Sequence, residues 1–220
     1  MVEGDNRAWF SNGPKFLELA ARGRPWSDVG IINGYGLIKV EAGDPHQSSA
    51  AEAALLWEGE MLNGGKPITQ ENERTIVERL TPLYKGGKRL GSSLELFKLF
   101  RRKRAEHPII MVDEHLVLEQ DAIQKLPADI RIVYSNPTRL SDHVAVAYTN
   151  LGRDFLEAMM DPEIQKLLWK NHGCRQHVGN LDLNNERVKR LRIAGTITSA
   201  LKDPDPATFE KFIDDVVARE

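Results

Sequence analysis

The sequence predicts an α/β protein, and three observations carry that reading. Short apolar runs recur at YGLIKV (35–40), HPIIMV (107–112) and IRIVYS (130–135). Segments with helical start signals lie between them. The connections are long enough for helical crossovers, so residues 35–135 are expected to form a lobe with a mainly parallel central sheet flanked by helices.

Taken in order, the first strand is followed by a helix from Ser49, a second from about Thr69 and a third from Ser93. Ser49 stands three residues before Glu52 and Ser92 three before Glu95. Both match the capping box, in which hydroxyl and carboxylate satisfy free amides of the first turn. The runs at 107–112 and 130–135 supply further strands. A last apolar run, HVAVAY (143–148), precedes helices near 152–160 and 162–172. Asp161-Pro162 reads as a cap followed by proline at the first helical position, and Gly173 ends that helix. Asp205-Pro206 repeats the device for a final helix with Phe209, Phe212, Ile213 and Val216 on one apolar stripe. NGGKP (63–67) and YKGGKR (84–89) are polar turns, and NLDLNNER (180–187) connects to the C-terminal tail. The basic run RRKR (101–104) suits a helix C-terminus, where cations meet the negative end of the dipole.

Composition narrows the function classes. The 220 residues are 41% hydrophobic and 28% charged, and 30 basic against 32 acidic side chains give a formal net charge of −2. No global field draws a nucleic acid or an anionic membrane to such a chain. No apolar stretch reaches the roughly 18–20 residues that span a bilayer. The opening MVEGDNRAWF lacks the basic start and apolar run of a secretory signal. The single cysteine, Cys174, forms no internal disulfide and is compatible with a reducing or an oxidising compartment.

Candidate chemistry concentrates at two helix starts. GDPHQSSAAEAALLW (43–57) and LGSSLELFKLF (90–100) each bring a serine pair, Ser48 with Ser49 and Ser92 with Ser93, to a helix N-terminus. Free amides, a partial positive charge and hydroxyls together suit a polar or anionic ligand. Other constellations are weaker. His172, Cys174 and His177 have zinc-like residue types but lack a fourth ligand at ordinary spacing. Asp113, Glu114, His115 and His143 could exchange protons, but no nucleophile motif accompanies them. GYG (34–36) and the GG pairs at 64–65 and 86–87 lack the lysine-serine or lysine-threonine of a phosphate loop. The tryptophans at 9, 26, 57 and 169 read as core.

Four segments in unbroken order carry a resemblance to a known family. PWSDV (25–29) with YGLIKVEAGDPHQSSAAEAALL (35–56), HPIIMVDEHLVLE (107–119), IRIVYSNPTRLSDHVAVAY (130–148) and GRDFLEAMMDPEIQKLLWKNHGCR (152–175) resemble consecutive segments of type II periplasmic solute-binding proteins. The last is the most distinctive.

The resemblance implies a periplasmic-binding-protein-like fold, with residues 1–24 as an N-terminal segment and 25–135 as a second-lobe-like α/β unit. Residues 136–175 would be the hinge crossover and closing helices, and 176–220 a tail with its helix. It implies binding of a small polar, anionic solute between lobes for transport or sensing, without enzymatic chemistry or a cofactor. A membrane permease or a fused signalling domain would be the partner, with no nucleic acid and no membrane insertion. Carried over position by position, the contacts are Ser48, Ser49, Ser92, Ser93, Glu114, Tyr134 and Thr138, with Asn136-Pro137 in the hinge. A periplasmic or extracellular location follows from the family, whereas the missing signal fits a cytoplasmic one.

Departures from the pattern are specific. The helix start reads Ser48-Ser49-Ala50-Ala51 in place of serine-asparagine-serine-glycine, Asp113 stands for the tyrosine before Glu114, and Cys174 stands for a phenylalanine. Only residues 1–24 precede the matching region, so much of the first lobe is expected to be missing or reduced. The alternative expectation is a stand-alone interaction or regulatory module derived from such a lobe.

Overall fold

Helices begin where the sequence places capping residues, and most of the expected strands shrink to single bridges. The computed structural model of the protein describes residues 2–3, 8–32, 34, 36–84, 89–175, 184–197 and 199–219. Along the chain come β1 (Val2–Glu3), β2 (Trp9–Phe10), α1 (Gly13–Ala21), a 3-10 turn (Trp26–Val29), α2 (Ser49–Leu62), α3 (Glu73–Tyr84) and α4 (Ser93–Arg102). Then follow α5 (Glu114–Ile123), β3 (Val133–Tyr134), α6 (Asn150–Met159), α7 (Pro162–His172), α8 (Glu186–Leu191) and α9 (Pro206–Val217). The protein is α-rich with a small sheet: β1 pairs antiparallel with β2, and β2 parallel with β3.

The mainly parallel central sheet expected over 35–135 is not formed among the described residues. Isolated bridges remain: within the expected first run Leu37 pairs antiparallel with Pro25, and the parallel sense appears only just after it. Glu41 bridges Ile110 and Gly43 bridges Leu90, both in the parallel sense. The Glu41 amide donates to Ile109 at 3.1 Å, and Met111 donates back to Glu41 at 2.8 Å. Each run is cut short by its neighbours. Pro45 follows the 41–43 run, Pro108 lacks an amide at the start of the 107–112 run, and Gly91-Ser92 and Asp113 lead directly into α4 and α5. The run at 130–135 is reduced to β3. Residues 143–148 pair with nothing among the described residues and are largely exposed.

Two helix starts differ from expectation. The cap of α2 is Ser48, with extended backbone (φ −149°, ψ 115°) and its Oγ accepting the Ala51 amide at 3.3 Å, so Ser49 is the first helical residue and makes no capping box with Glu52. The helix expected from Thr69 begins at Glu73, because the Asn72 side chain accepts from the Thr69 amide at 2.8 Å and donates to Pro67 at 3.0 Å, folding 67–72 into a turn. α4 has the full capping box on Ser92 and Glu95. Asp161 and Asp205 cap α7 and α9 ahead of prolines, as read, and Arg101 and Arg102 occupy the last turn of α4. Gly173 ends α7 at φ 72°, and a Cβ there would lie 2.4 Å from Leu118 Cβ, so both backbone and packing exclude a side chain. α1, α5 and α8 carry no start signal read from the sequence. The YKGGKR turn (84–89) and the NLDLNNER connection (180–187) fall largely outside the described residues.

Among the described residues, three apolar clusters hold most of these elements, α6 apart. The first joins α1, α2, α3 and α9 through Leu17, Leu55, Leu56, Trp57, Ile76, Leu80, Phe212 and Ile213. α2 is its axis, buried on nearly all sides, and Gly59 lets α9 approach: a Cβ there would sit 2.8 Å from Phe212 Cζ. The tail helix is therefore part of the core. The second cluster packs α4, α5, α7 and α8 through Phe97, Leu118, Trp169, Val188 and Ile193. A third sets Ala8, Tyr134 and Ala194 against Phe10, Ile132 and Ile197.

Candidate functional site

The parallel bridge between Gly43 and Leu90 brings the loops before α2 and α4 side by side. Two glycines leave room for the approach, Gly43 against backbone and Gly91 against side-chain ends. A Cβ on Gly43 would lie 2.8 Å from the Gly91 carbonyl, and one on Gly91 would lie 2.7 Å from Glu95 Oε2 and 3.2 Å from Gln47 Oε1. Asp44 holds the first loop as an Asx turn, its Oδ1 accepting from the His46 amide at 2.9 Å and its Oδ2 from the Gln47 side chain at 2.8 Å. The Asp44 amide in turn donates to Leu90 at 2.7 Å.

The result is a direct contact between the two helix starts: Ser48 Oγ and Ser93 Oγ stand 2.6 Å apart, both half-buried. In a hydroxyl pair only one proton lies between the oxygens, so the other remains to be donated elsewhere. Helix geometry leaves first-turn amides without intrahelical partners at both helix starts, less those taken by Ser48 and Ser92. Ser92 is committed to its capping box. Ser49 is exposed and takes no part in this pairing. Of the four predicted serines the structure thus joins Ser48 and Ser93, gives Ser92 a structural task and leaves Ser49 on the surface. His46 lies 3.8 Å from Asp214, and burial raises the Glu52 carboxyl above its ordinary range while His46 opposes the rise.

Glu114, Tyr134 and Thr138 form separate arrangements. Tyr134 donates to Glu114 Oε2 at 2.5 Å and accepts from the Ala194 amide at 3.2 Å. Arg175 grips the same carboxylate with both prongs, at 2.9 and 2.8 Å, and donates to the Ala194 carbonyl at 2.8 Å. Burial, reinforced by the Glu114 charge and hydrogen bond, pushes the Tyr134 phenol far above its usual value. Hydrogen bonding and charge from Glu114 raise Arg175 against the burial that would lower it. This knot ties β3, the start of α5, the end of α7 and the segment after α8 together, and its acceptors are spent within the protein. Thr138 accepts from Ser135 at 3.0 Å, and its backbone pairs with Ser199 and Leu201. Among the described residues no hydrogen bond links these three to the serines.

Arg175 and Arg139 are the polar residues the sequence reading did not single out. Arg175 closes the 152–175 segment, and that terminal arginine was the available signal. Arg139 lies next to Thr138, with a side chain 6% exposed, donating to the buried Glu60 at 2.9 Å and pairing with Asp203. The neighbouring Pro137 carbonyl accepts from the Trp57 indole at 2.7 Å. The crossover at 137–139 is therefore pinned to α2 by a buried ion pair and an indole.

No known family model, curated protein or solved structure matches this chain. Its function must be argued from its own geometry.

The remaining constellations resolve as follows. Among the described residues there is no cluster of three or more metal-binding side chains. His172 bonds Glu119 at 2.9 Å, and His177 lies outside the described residues. His115 and His143 meet edge to face at 6.4 Å, and burial raises the Asp113 carboxyl against the pull of both histidines. Glu114 of that group is taken up by Arg175 and Tyr134. An open groove of about 580 Å³ runs past Glu18, Arg22, Met61, Leu62 and Arg79, and none of its lining residues belongs to the sites above. No helix among the described residues is long and apolar enough to cross a membrane.

Proposed function

We propose that this protein is a solute-binding lobe of the type II periplasmic-binding kind, in which the joined starts of α2 and α4 form the polar wall of a site for a small anion. The single observation that supports it is the Ser48–Ser93 contact at 2.6 Å. Two helix N-termini, a spare hydroxyl proton and free first-turn amides converge there, and each favours an oxyanion or carboxylate over a neutral or cationic ligand. The proposed action is capture and release without a covalent step, serving transport or sensing. Ser48 and Ser93 would donate; Glu114, Tyr134 and Thr138 would act in the separate arrangements that hold the fold.

The experiment is a thermal-shift titration with sulfate, phosphate and short dicarboxylates, repeated on Ser93→Ala. A ligand binding only the native state raises the melting temperature by mass action. The expected outcome is a rise for at least one anion that Ser93→Ala reduces, with a loss of about 0.5–1.5 kcal/mol for a neutral hydrogen bond and up to about 3 for a charged one. Equal shifts in both proteins would show that the pair only joins the two loops. The alternative, an interaction module, is favoured by a different observation: the apolar side chains exposed along 140–160.

A further inference from the structure

Among the described residues, the extended segment before α6 and the outer face of that helix lack a partner of their own. Val144, Val146 and Tyr148 are 86%, 69% and 94% exposed, and Leu151 and Phe155, one turn apart on α6, are 78% and 61% exposed. α6 contributes no buried side chain at all. Ten residues of amphipathic helix do not hold such a face in water without something to cover it.

The segment has the alternation of a strand. Its odd positions carry smaller or ring-paired side chains: His143, itself exposed, meets His115 of α5 at 6.4 Å, and the half-buried Ala147 closes on the start of α6, 3.4 Å from where a Cβ on Gly152 would stand. Its even positions, 144, 146 and 148, turn out. Among the described residues the backbone of 140–147 makes no hydrogen bond to another backbone group. This is an unpaired edge, and it lacks the usual protection, since no Lys, Arg, Asp or Glu occurs between Asp142 and Arg153.

We propose that this surface binds a second copy of the same chain, with the two 143–148 segments pairing antiparallel about a two-fold axis at Val146 and the apolar faces of the two α6 helices closing beside them. Three arguments select a like copy. A two-fold at residue 146 sets Val144 opposite Tyr148 and Val146 opposite itself, so every outward side chain meets an apolar one; an axis one residue earlier would put Tyr148 against Asp142. The charge-free stretch brings no like charges together when it meets itself. With Leu140 and Met160, the fractional exposures correspond to roughly 600–700 Å² of apolar side chain open to water. That exceeds the ~300–600 Å² of the largest patch on an ordinary monomer and approaches the ~800 Å² each partner gives a standard interface. The proposal is independent of the anion site, because it uses none of its residues.

Sedimentation equilibrium on the full chain at about 50 μM tests it, with Val146→Lys, Val146→Glu and their equimolar mixture. Because Val146 is 69% exposed, both variants keep the fold. The wild type is expected to be a dimer, each variant alone a monomer with its dimer dissociation constant raised about 100-fold or more by the charge facing its own copy, and the mixture a dimer again. A monomeric wild type overturns the proposal, including one that instead sediments with anionic vesicles. Either variant dimerising as the wild type does overturns it, and a monomeric mixture overturns the axis at Val146.

Discussion

Glu58 offers the sharpest test of the core. It sits in the middle of α2, 2% exposed, and its Oε2 has no hydrogen-bond partner among the described residues. Burial pushes its carboxyl from the ordinary 4.5 up to about 8, with the Arg89 guanidinium pulling the other way. Between those two values the native protein holds a proton that the unfolded chain has released. Protonation therefore favours the native state. The stability this gives is fully present below about pH 4.5, declines as pH rises through the window and is gone above about pH 8. At 1.36 kcal/mol per pH unit the full shift amounts to at most about 4–5 kcal/mol, a large part of the ~5–15 kcal/mol that holds a typical domain together. Urea unfolding from pH 5 to 9, read as midpoint times slope, should show this decline in the wild type. Asp113 and Glu60 are raised too and tilt the curve the same way, so Glu58→Gln isolates the contribution. The variant should match the wild type near pH 5 and exceed it at pH 9. A wild-type curve that is flat from pH 5 to 8, or a Glu58→Gln curve with the wild-type slope, would refute the reasoning and show that Arg89 keeps Glu58 ionised.

Other expectations follow from single contacts. Arg139→Ala leaves the carboxylate of Glu60, 1% exposed, without its partner and should lower stability by about 3–5 kcal/mol. Adding Glu60→Gln should recover part of that loss in the same denaturation assay. Ser48→Ala should lower stability by about 1 kcal/mol through the lost cap of α2, whereas Ser49→Ala should leave the melting temperature within about a degree of wild type, a small surface effect. Gly173→Ala forces a side chain onto a left-handed residue against Leu118 and should cost about 1–3 kcal/mol by calorimetric melting.

The features legible in the sequence were those governed by neighbouring residues. Ser92 with Glu95, Asp161 with Pro162, Asp205 with Pro206 and Gly173 each act within a turn or two of themselves, and all four were read as they stand. Ser48 and Ser49 show the limit of such reading. Two adjacent hydroxyls both suit a cap, and Ser48 is set as the cap by the extended backbone it takes where its loop lies against Leu90 and Gly91, which no local pattern records. Strands failed for the same reason. Pairing is decided by distant segments, and Glu41 finds Ile110 for a single bridge before proline and capping residues end the ladder. At the site, the two similar helix starts were legible, but that Ser48 and Ser93 meet was not, because the bridge between Gly43 and Leu90 that joins their loops leaves no local signal. The knot around Glu114 was not, because its decisive partner, Arg175, reaches it from 61 residues away.

The core formed by α1, α2, α3 and α9 has a consequence for synthesis. Phe212 and Ile213 fill the space beside Gly59, so the groove between α2 and α3 stays open to water until the last helix has left the ribosome. At ~5–20 residues per second the roughly 130 residues between Tyr84 and Val216 take on the order of ten seconds to appear. During that interval Leu55, Ile76 and Leu80 are apolar surface on a nascent chain, available to a holding chaperone, and this half of the molecule completes its fold only once α9 has emerged.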